Sequence, residues 1–305
     1  MERKDFLKLI SLAPLASQTM KLQAFSKITD SLPVTKKMPV LFTSHGNPMD
    51  IPLGLNANPF LTSVGKVSKK IRDEYEIKAV LIVSAHWCTK GTYVNVSKFP
   101  ETVYDFYGFP EEYYKIKYPA PGSPEMAKEV TKLIPKVKET NDWGLDHGSW
   151  PILRHLFPKA DVPVFQMSID YHQSGQYHFD LAKQLKSLRE KGVLIIGSGA
   201  VVHNIKEAGA KFIKGDMTPY GWEMEYDEWL KKQLDDRNIK NLIDHEKSHK
   251  LGKMAAPTPD HYVPLLYSLA VMDDKEKLEQ LIEGLKLTER VKIEPPTNNI
   301  KEYYL

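Results

Sequence analysis

Two histidines stand directly behind apolar runs. His86 follows Ala79–Val83 in KAVLIVSAHWC, and His45 follows Met38–Phe42 in MPVLFTSHGNP. His203 follows a third run, Val193–Ile196, by way of the small-residue turn Gly197-Ser198-Gly199. Such a run suits a strand buried on both faces, as in a parallel sheet. Open α/β sheets bind ligands beyond the carboxyl ends of their strands, so these three imidazoles would share one rim. A single such histidine is ordinarily a partly buried ring satisfied by a backbone hydrogen bond, but three on one rim weaken that reading. His261, at the start of the apolar segment Val263–Met272, could face the same rim and by itself carries little weight. His147 lies in Asp146-His147-Gly148-Ser149-Trp150, where small residues allow close approach. It is either a turn residue or an imidazole suited to proton transfer near neutral pH. With a single cysteine, Cys88, the chain holds no intrachain disulfide and no multi-cysteine zinc site. A metal centre would therefore be built from imidazole and carboxylate.

The remaining histidines invite plainer readings. His155, His178 and His249 fall on expected helix faces beside charged residues and read as solvated; His172 lies in a polar loop; His245 reads as structural. Cys88 lies two residues beyond His86 and would share its face on a continuing strand. A small buried hydrophobe fits it better than a thiolate ligand.

Around these residues the pattern predicts an α/β fold: a single domain with a central, mostly parallel sheet flanked by helices, its active site at the carboxyl ends of the strands. Strands are expected at Met38–Phe42, Ala79–Val83, Thr92–Val96, within Asp161–Asp170, and at Val193–Ile196. Helices are expected within Asn58–Glu76, at Glu125–Ile134, Ile152–Phe157, Tyr177–Lys191, Trp222–Asp235, Asn241–Leu251 and Val263–Met272, with Thr258 or Asp260 as a cap for the last. The final residues read as one or two edge strands. Tyr104–Pro124 is rich in Tyr, Phe, Pro and Gly without a clean period. It reads as a long ordered loop with one short helix, either packed or lining a flat aromatic ligand.

The chain has 305 residues, 42% hydrophobic and 27% charged, enough for a sizeable core. Its 42 basic and 39 acidic residues leave a net charge of +3, too balanced to argue for nucleic acid. No apolar run approaches membrane-spanning length. Residues 1–36 read as an N-terminal extension and 37–305 as the catalytic domain. Arg3-Lys4 ahead of Phe6-Leu7-Lys8 and the short apolar Leu9–Ala16 resemble a twin-arginine export signal with lysine in the second position. A frayed amphipathic extension also fits, so the sequence leaves cytoplasmic and periplasmic locations both open.

Six stretches, in order, resemble the LigB superfamily of class III extradiol dioxygenases, most closely its 4,5-DOPA dioxygenase-like subgroup. They are MPVLFTSHGNPM (38–49), VSAHW (83–87), DFYGFPEEYYKIKYPAPGSP (105–124), WGLDHGSW (143–150), GSGAVVHN (197–204) and PTPDHYVPLL (257–266). The resemblance implies that His45, His86 and His261 are metal ligands. It makes His203 a fourth ligand or the acid–base residue, and His147 an acid–base group that either stands behind the ligands or binds substrate. Many non-haem Fe(II) oxygenases use two histidines and a carboxylate; here the third position matches His261. Three neutral imidazoles leave the bound ion at +2, which makes Zn(II) a realistic occupant beside Fe(II), although zinc has no redox chemistry.

The implied reaction is ring opening of a catechol by O2, with 4,5-cleavage of DOPA as the subgroup's form. His203 would take a catechol proton and return one later, and His147 would hydrogen-bond a substrate oxygen. Two other readings stand beside it: a zinc hydrolase, since Zn(II) with three histidines also serves hydration chemistry, and a non-catalytic protein that binds metal or aromatic ligands.

Overall fold

The computed structural model describes residues 36–212, 216 and 218–279. The export-signal stretch and the expected C-terminal edge strands lie outside the described residues. Six strands form one sheet among them: β1 (Val40–Thr43), β2 (Ala79–Thr89), β3 (Tyr93–Asn95), β4 (Lys138–Thr140), β5 (Val164–Asp170) and β6 (Val193–Ser198). Their spatial order is β1-β6-β2-β5-β3-β4. The first four in that order pair in parallel, β3 runs antiparallel to β5, and β4 is parallel to β3. The helices are α1 (Pro59–Glu74), α2 (Pro124–Leu133), α3 (Trp150–Leu156), α4 (Gly175–Lys183), α5 (Ile205–Phe212), α6 (Gly221–Asp235), α7 (Ile239–Ile243), α8 (His245–Ser248), α9 (Gly252–Ala255) and α10 (Val263–Ala270). None is long and apolar enough to cross a membrane.

Alternate residues of the central strands feed two cores, because successive side chains on a strand point to opposite faces. Leu81, Val83, Phe165, Met167 and Ile195 pack with Phe179 and Leu181 of α4 and Leu265 and Leu266 of α10. Val80, Ile82, Val164, Leu194 and Ile196 pack with Leu61 and Val64 of α1 and Ile152 and Leu153 of α3. Both faces being covered explains why these strands read as unbroken apolar runs. α10 lies so close to β6 that a Cβ on Gly197 would come 2.2 Å from the carbonyl oxygen of Pro264.

Several expectations give way. β2 does not stop at Val83 but runs on to Thr89. Its pairing with β5 passes from Val83↔Met167 to Cys88↔Ile169, so β2 advances five residues while β5 advances two. The pairing is broken there by an irregularity larger than a simple bulge, and His86 sits in it rather than beyond the strand. The single helix expected over 177–191 is α4 followed by a 3-10 turn, Lys186–Lys191. Three-residue periodicity there sets the fully buried Leu185 and Leu188 on one side. The expected helix over 241–251 divides into α7 and α8, because buried His245 bonds the Tyr226 hydroxyl at 3.0 Å and stacks on Tyr262. Asp260 and Thr258 do not cap α10, whose N-cap residue is Tyr262 with no side-chain cap bond. Cys88 is exposed rather than buried, its thiol 3.4 Å from the Ala85 carbonyl.

His155 and His178 are buried rather than solvated. His178 lies 3.2 Å from the Tyr267 hydroxyl and 3.1 Å from the Asp170 carbonyl. Burial pushes the imidazoles of His155, His178 and His245 down to about 4, from an ordinary 6.5. Between about pH 6.5 and 4 the unfolded chain therefore binds more protons than the folded one, and stability falls as pH falls through that window. The expected loss is on the order of 1–3 kcal/mol per histidine. Urea titrations at pH 7, 5.5 and 4.5 should show a steadily lower midpoint; a flat one would contradict the buried neutral rings.

Candidate metal centre

β1, β6 and β2 lie side by side, and the registers Thr43↔Ser198 and Ser84↔Ser198 bring Thr43, Ser198 and Ser84 level. Each strand carries a residue of the site at or just past that level. After β1 the chain turns at Gly46, with φ of 77°, a left-handed conformation that glycine adopts without steric cost. Asn47 then caps a short 3-10 helix, and His45 is held at the turn. β2 offers His86 from its irregular stretch. β6 ends at Ser198, and His203 follows with its backbone N–H donated to the Ala255 carbonyl at 2.7 Å. His261 precedes α10, which packs over β6 and β1, and its backbone carbonyl accepts the N–H of Ala200 at 2.9 Å.

The rings converge. His45, His86 and His147 each place a ring nitrogen within 4.8 Å of the others, and His203, His261 and Asp260 form a second such group. The groups adjoin: the His261 ring lies 5.5 Å from that of His45 and 5.1 Å from that of His86. His203 stacks on His261 at 3.3 Å with planes 8° apart. All five histidines singled out from the sequence thus meet at one place. His155, His178, His245 and His249 pack elsewhere.

Each of three rings has its Nδ1 engaged. Nδ1 of His45 lies 3.1 Å from the Ser198 hydroxyl, which itself donates to the Gly148 carbonyl. Ser198 therefore accepts from His45, which fixes the Nδ1–H tautomer. Nδ1 of His86 lies 3.1 Å from Oδ2 of Asp105, and Nδ1 of His261 meets Oδ2 of Asp260. Their Nε2 atoms are left as lone pairs. Those of His45 and His86 lie 3.2 Å apart, and that of His261 is buried without a hydrogen-bond partner. Two lone pairs at that distance repel unless a cation lies between them. Metal–nitrogen bonds of about 2.0–2.1 Å place tetrahedral ligands about 3.3 Å apart. Imidazole donors this close together fit a divalent ion.

Electrostatics favour the same state. Burial, then the neighbouring rings of His86, His261, His147 and His203, hold His45 well below the ordinary imidazole value. Burial also lowers His261, against the opposing pull of Asp260. Neutral rings are what metal binding requires. Burial alone would raise the carboxyls of Asp105 and Asp260, yet both lie below the usual range. For Asp105 the bonds from His147 and His86 prevail, and for Asp260 those from His261 and Thr258.

His147 is placed by its own loop. Asp146 is fully buried and accepts from Ser84 at 2.7 Å, from the Trp143 indole at 3.0 Å and from Gln166. Asp105 accepts the backbone N–H of His147 at 2.7 Å. Its Oδ1 also lies 3.0 Å from His147 Nδ1, near enough for an ion pair but not aligned as a hydrogen bond. Phe106 meets the His147 ring edge to face at 5.6 Å. The aromatic stretch around it packs mainly on itself: Phe106 stacks on Tyr114, and the Tyr104 hydroxyl bonds the Ile116 carbonyl at 2.9 Å.

Sequence reasoning missed the groups that hold the rings. Asp105 stood among aromatics, Asp260 read as a cap and Ser198 as part of a turn. The one available signal was that Asp260 adjoins a candidate ligand.

A family model described as "Catalytic LigB subunit of aromatic ring-opening dioxygenase" matches residues 39–291. A protein of Escherichia coli K12 named "4,5-DOPA dioxygenase extradiol" is 36% identical over 85% of this chain and 94% of its own length. One of the same name from Beta vulgaris is 34% identical over 78% of this chain and 88% of its own. The crystal structure of an uncharacterized protein from Escherichia coli K12 superposes with a TM-score of 0.69 at 34% identity, covering 83% of this chain and 96% of that one.

Gly148 tests how tightly the centre is built. A Cβ there would come 2.2 Å from the Ser84 hydroxyl oxygen and 2.7 Å from Cδ2 of His86. Gly148→Ala should displace the His86 ring and weaken Zn(II) binding by about tenfold or more, as measured by chelator competition. Unchanged affinity would show that the His86 ring position does not matter to the metal.

Proposed function

We propose a division of labour among the five clustered histidines of this chain, which belongs to the LigB family and is an extradiol aromatic ring-cleaving dioxygenase. His45, His86 and His261 hold a non-haem divalent ion. His203 moves protons. His147 orients the substrate. The observation that carries this reading is the set of three rings with engaged Nδ1 atoms, whose Nε2 atoms are left for one ion. Fe(II) is the ion of the reaction; when bound, it supplies Lewis acidity toward the diol and the redox chemistry that O2 needs and Zn(II) lacks. With no carboxylate among the three ligands, the ion keeps its full +2 charge, which favours ionised catechol.

The substrate is a catechol. The names of the Escherichia coli and Beta vulgaris relatives suggest DOPA as the particular one. His203 takes a proton from a catechol hydroxyl at a ring nitrogen and returns one as the ring opens. Its stacking on His261 keeps that ring beside the ligand set. The ring of His147 donates or accepts one hydrogen bond at a substrate oxygen, and Phe106 beside it shields that bond from water. One carbon–carbon bond next to the diol breaks, both atoms of O2 enter the product, and a muconic semialdehyde results.

The test is anaerobic loading with Fe(II), then addition of catechol or DOPA and O2. One O2 should be consumed per catechol as a yellow ring-opened product appears, and the zinc-loaded protein should be inactive. Removal of His45, His86 or His261 by alanine should abolish stoichiometric metal binding. His203→Ala should keep the metal and lose about 10²-fold or more in kcat. An iron-loaded protein that opens no catechol would refute the proposal, and loss of metal from His203→Ala would make His203 a ligand.

A further inference from the structure

Asp105 is neither one of the proposed ligands nor one of the two histidines proposed to act on substrate, yet it touches one of each. Its Oδ2 lies 3.1 Å from Nδ1 of His86, and its Oδ1 lies 3.0 Å from Nδ1 of His147. Oδ1 also accepts the backbone N–H of His147 at 2.7 Å. The two rings are neighbours, with centroids 3.7 Å apart. From these contacts we infer that Asp105 is a shared positioning residue, a single carboxylate that sets the orientation of His86 and His147 together. The inference rests on the proposed roles of those two histidines.

The chemistry of the groups supports the assignment. A carboxylate carries negative charge on two oxygens and only accepts hydrogen bonds, so one oxygen can stand against each ring. Facing Asp105, His86 keeps its proton on Nδ1 and turns Nε2 toward His45. Partners of this kind behind a metal-bound histidine fix its tautomer and ring orientation. The second contact is less usual, because the same oxygen that meets the His147 ring also holds that residue's backbone. Displacing Asp105 would therefore move the ring and its loop together. Asp105 also lies one residue before Phe106, which packs against His147. One side chain thus fastens the aromatic segment to both imidazoles.

Asparagine separates this role from space filling. Its side chain has nearly the same shape, but one oxygen becomes an NH2 donor, which cannot face an N–H. Asp105→Asn can satisfy only one of the two rings. Zn(II) affinity, measured by chelator competition, should fall about 10–100-fold. The visible absorption of the Co(II)-substituted variant should differ from that of wild type. At saturating Fe(II), kcat for catechol should still fall about tenfold or more, because His147 is also released. Asp105→Glu restores a carboxylate and should bind Zn(II) more tightly than Asp105→Asn.

Wild-type Zn(II) affinity in Asp105→Asn, or wild-type kcat at saturating iron, would overturn the shared role. Equally weak binding by the Asn and Glu variants would reduce Asp105 to a packing residue and overturn it as well. A wild-type protein that binds no divalent ion or opens no catechol would instead refute the functional reading beneath it.

Discussion

An imidazole can lend a lone pair from one nitrogen only while its proton stays on the other. That proton needs an acceptor. The whole rim of this sheet answers that requirement. Ser198 accepts from His45, Asp105 stands 3.1 Å from Nδ1 of His86, and Asp260 meets Nδ1 of His261. The acceptors differ in chemistry because they differ in origin: a hydroxyl at a strand end, a carboxylate from a loop, and a carboxylate one residue from its ring. What they share is the result, a ring turned so that its Nδ1 side meets an oxygen and its Nε2 side does not. The neutral state of His45 and His261 follows from the same arrangement, since charged rings there would be desolvated and would be repelled by their neighbours.

The sheet makes the arrangement possible. β6 lies between β1 and β2, so Ser198 is in register with both Thr43 and Ser84. From that position its hydroxyl bridges His45 and the Gly148 carbonyl. Ser84 does the same on the other side, accepting the N–H of His86 at 3.1 Å and donating to Asp146. The loop carrying His147 is thereby hung between two strand ends, with no room for a side chain at Gly148. The two-sided core behind these strands gives the rim a rigid base, as a site of fixed geometry requires.

The sequence made legible what depends on local pattern. Apolar runs located the central strands, and histidines at their ends located the rim. Features set by distant partners stayed hidden. The irregularity in β2 depends on a pairing shift against β5 that no property of residues 84–87 reveals. His155 and His178 looked solvated beside their charged neighbours, yet tertiary packing covers both. Asp105 reaches a backbone N–H 42 residues away, and nothing in its aromatic surroundings points there. Asp260 has a residue type that suits a helix cap, but the adjacent ring offered it a closer partner.

The three proposed ligands enter the chain far apart, with His45 near one end of the sheet-forming segment and His261 more than two hundred residues later. Closing so long a loop by a metal bridge in a disordered chain would cost considerable entropy. In this fold the parallel registers of β1, β6 and β2 and the packing of α10 over them bring those residues together, so backbone pairing and helix packing, not metal bonds alone, bear the cost of closing the loop.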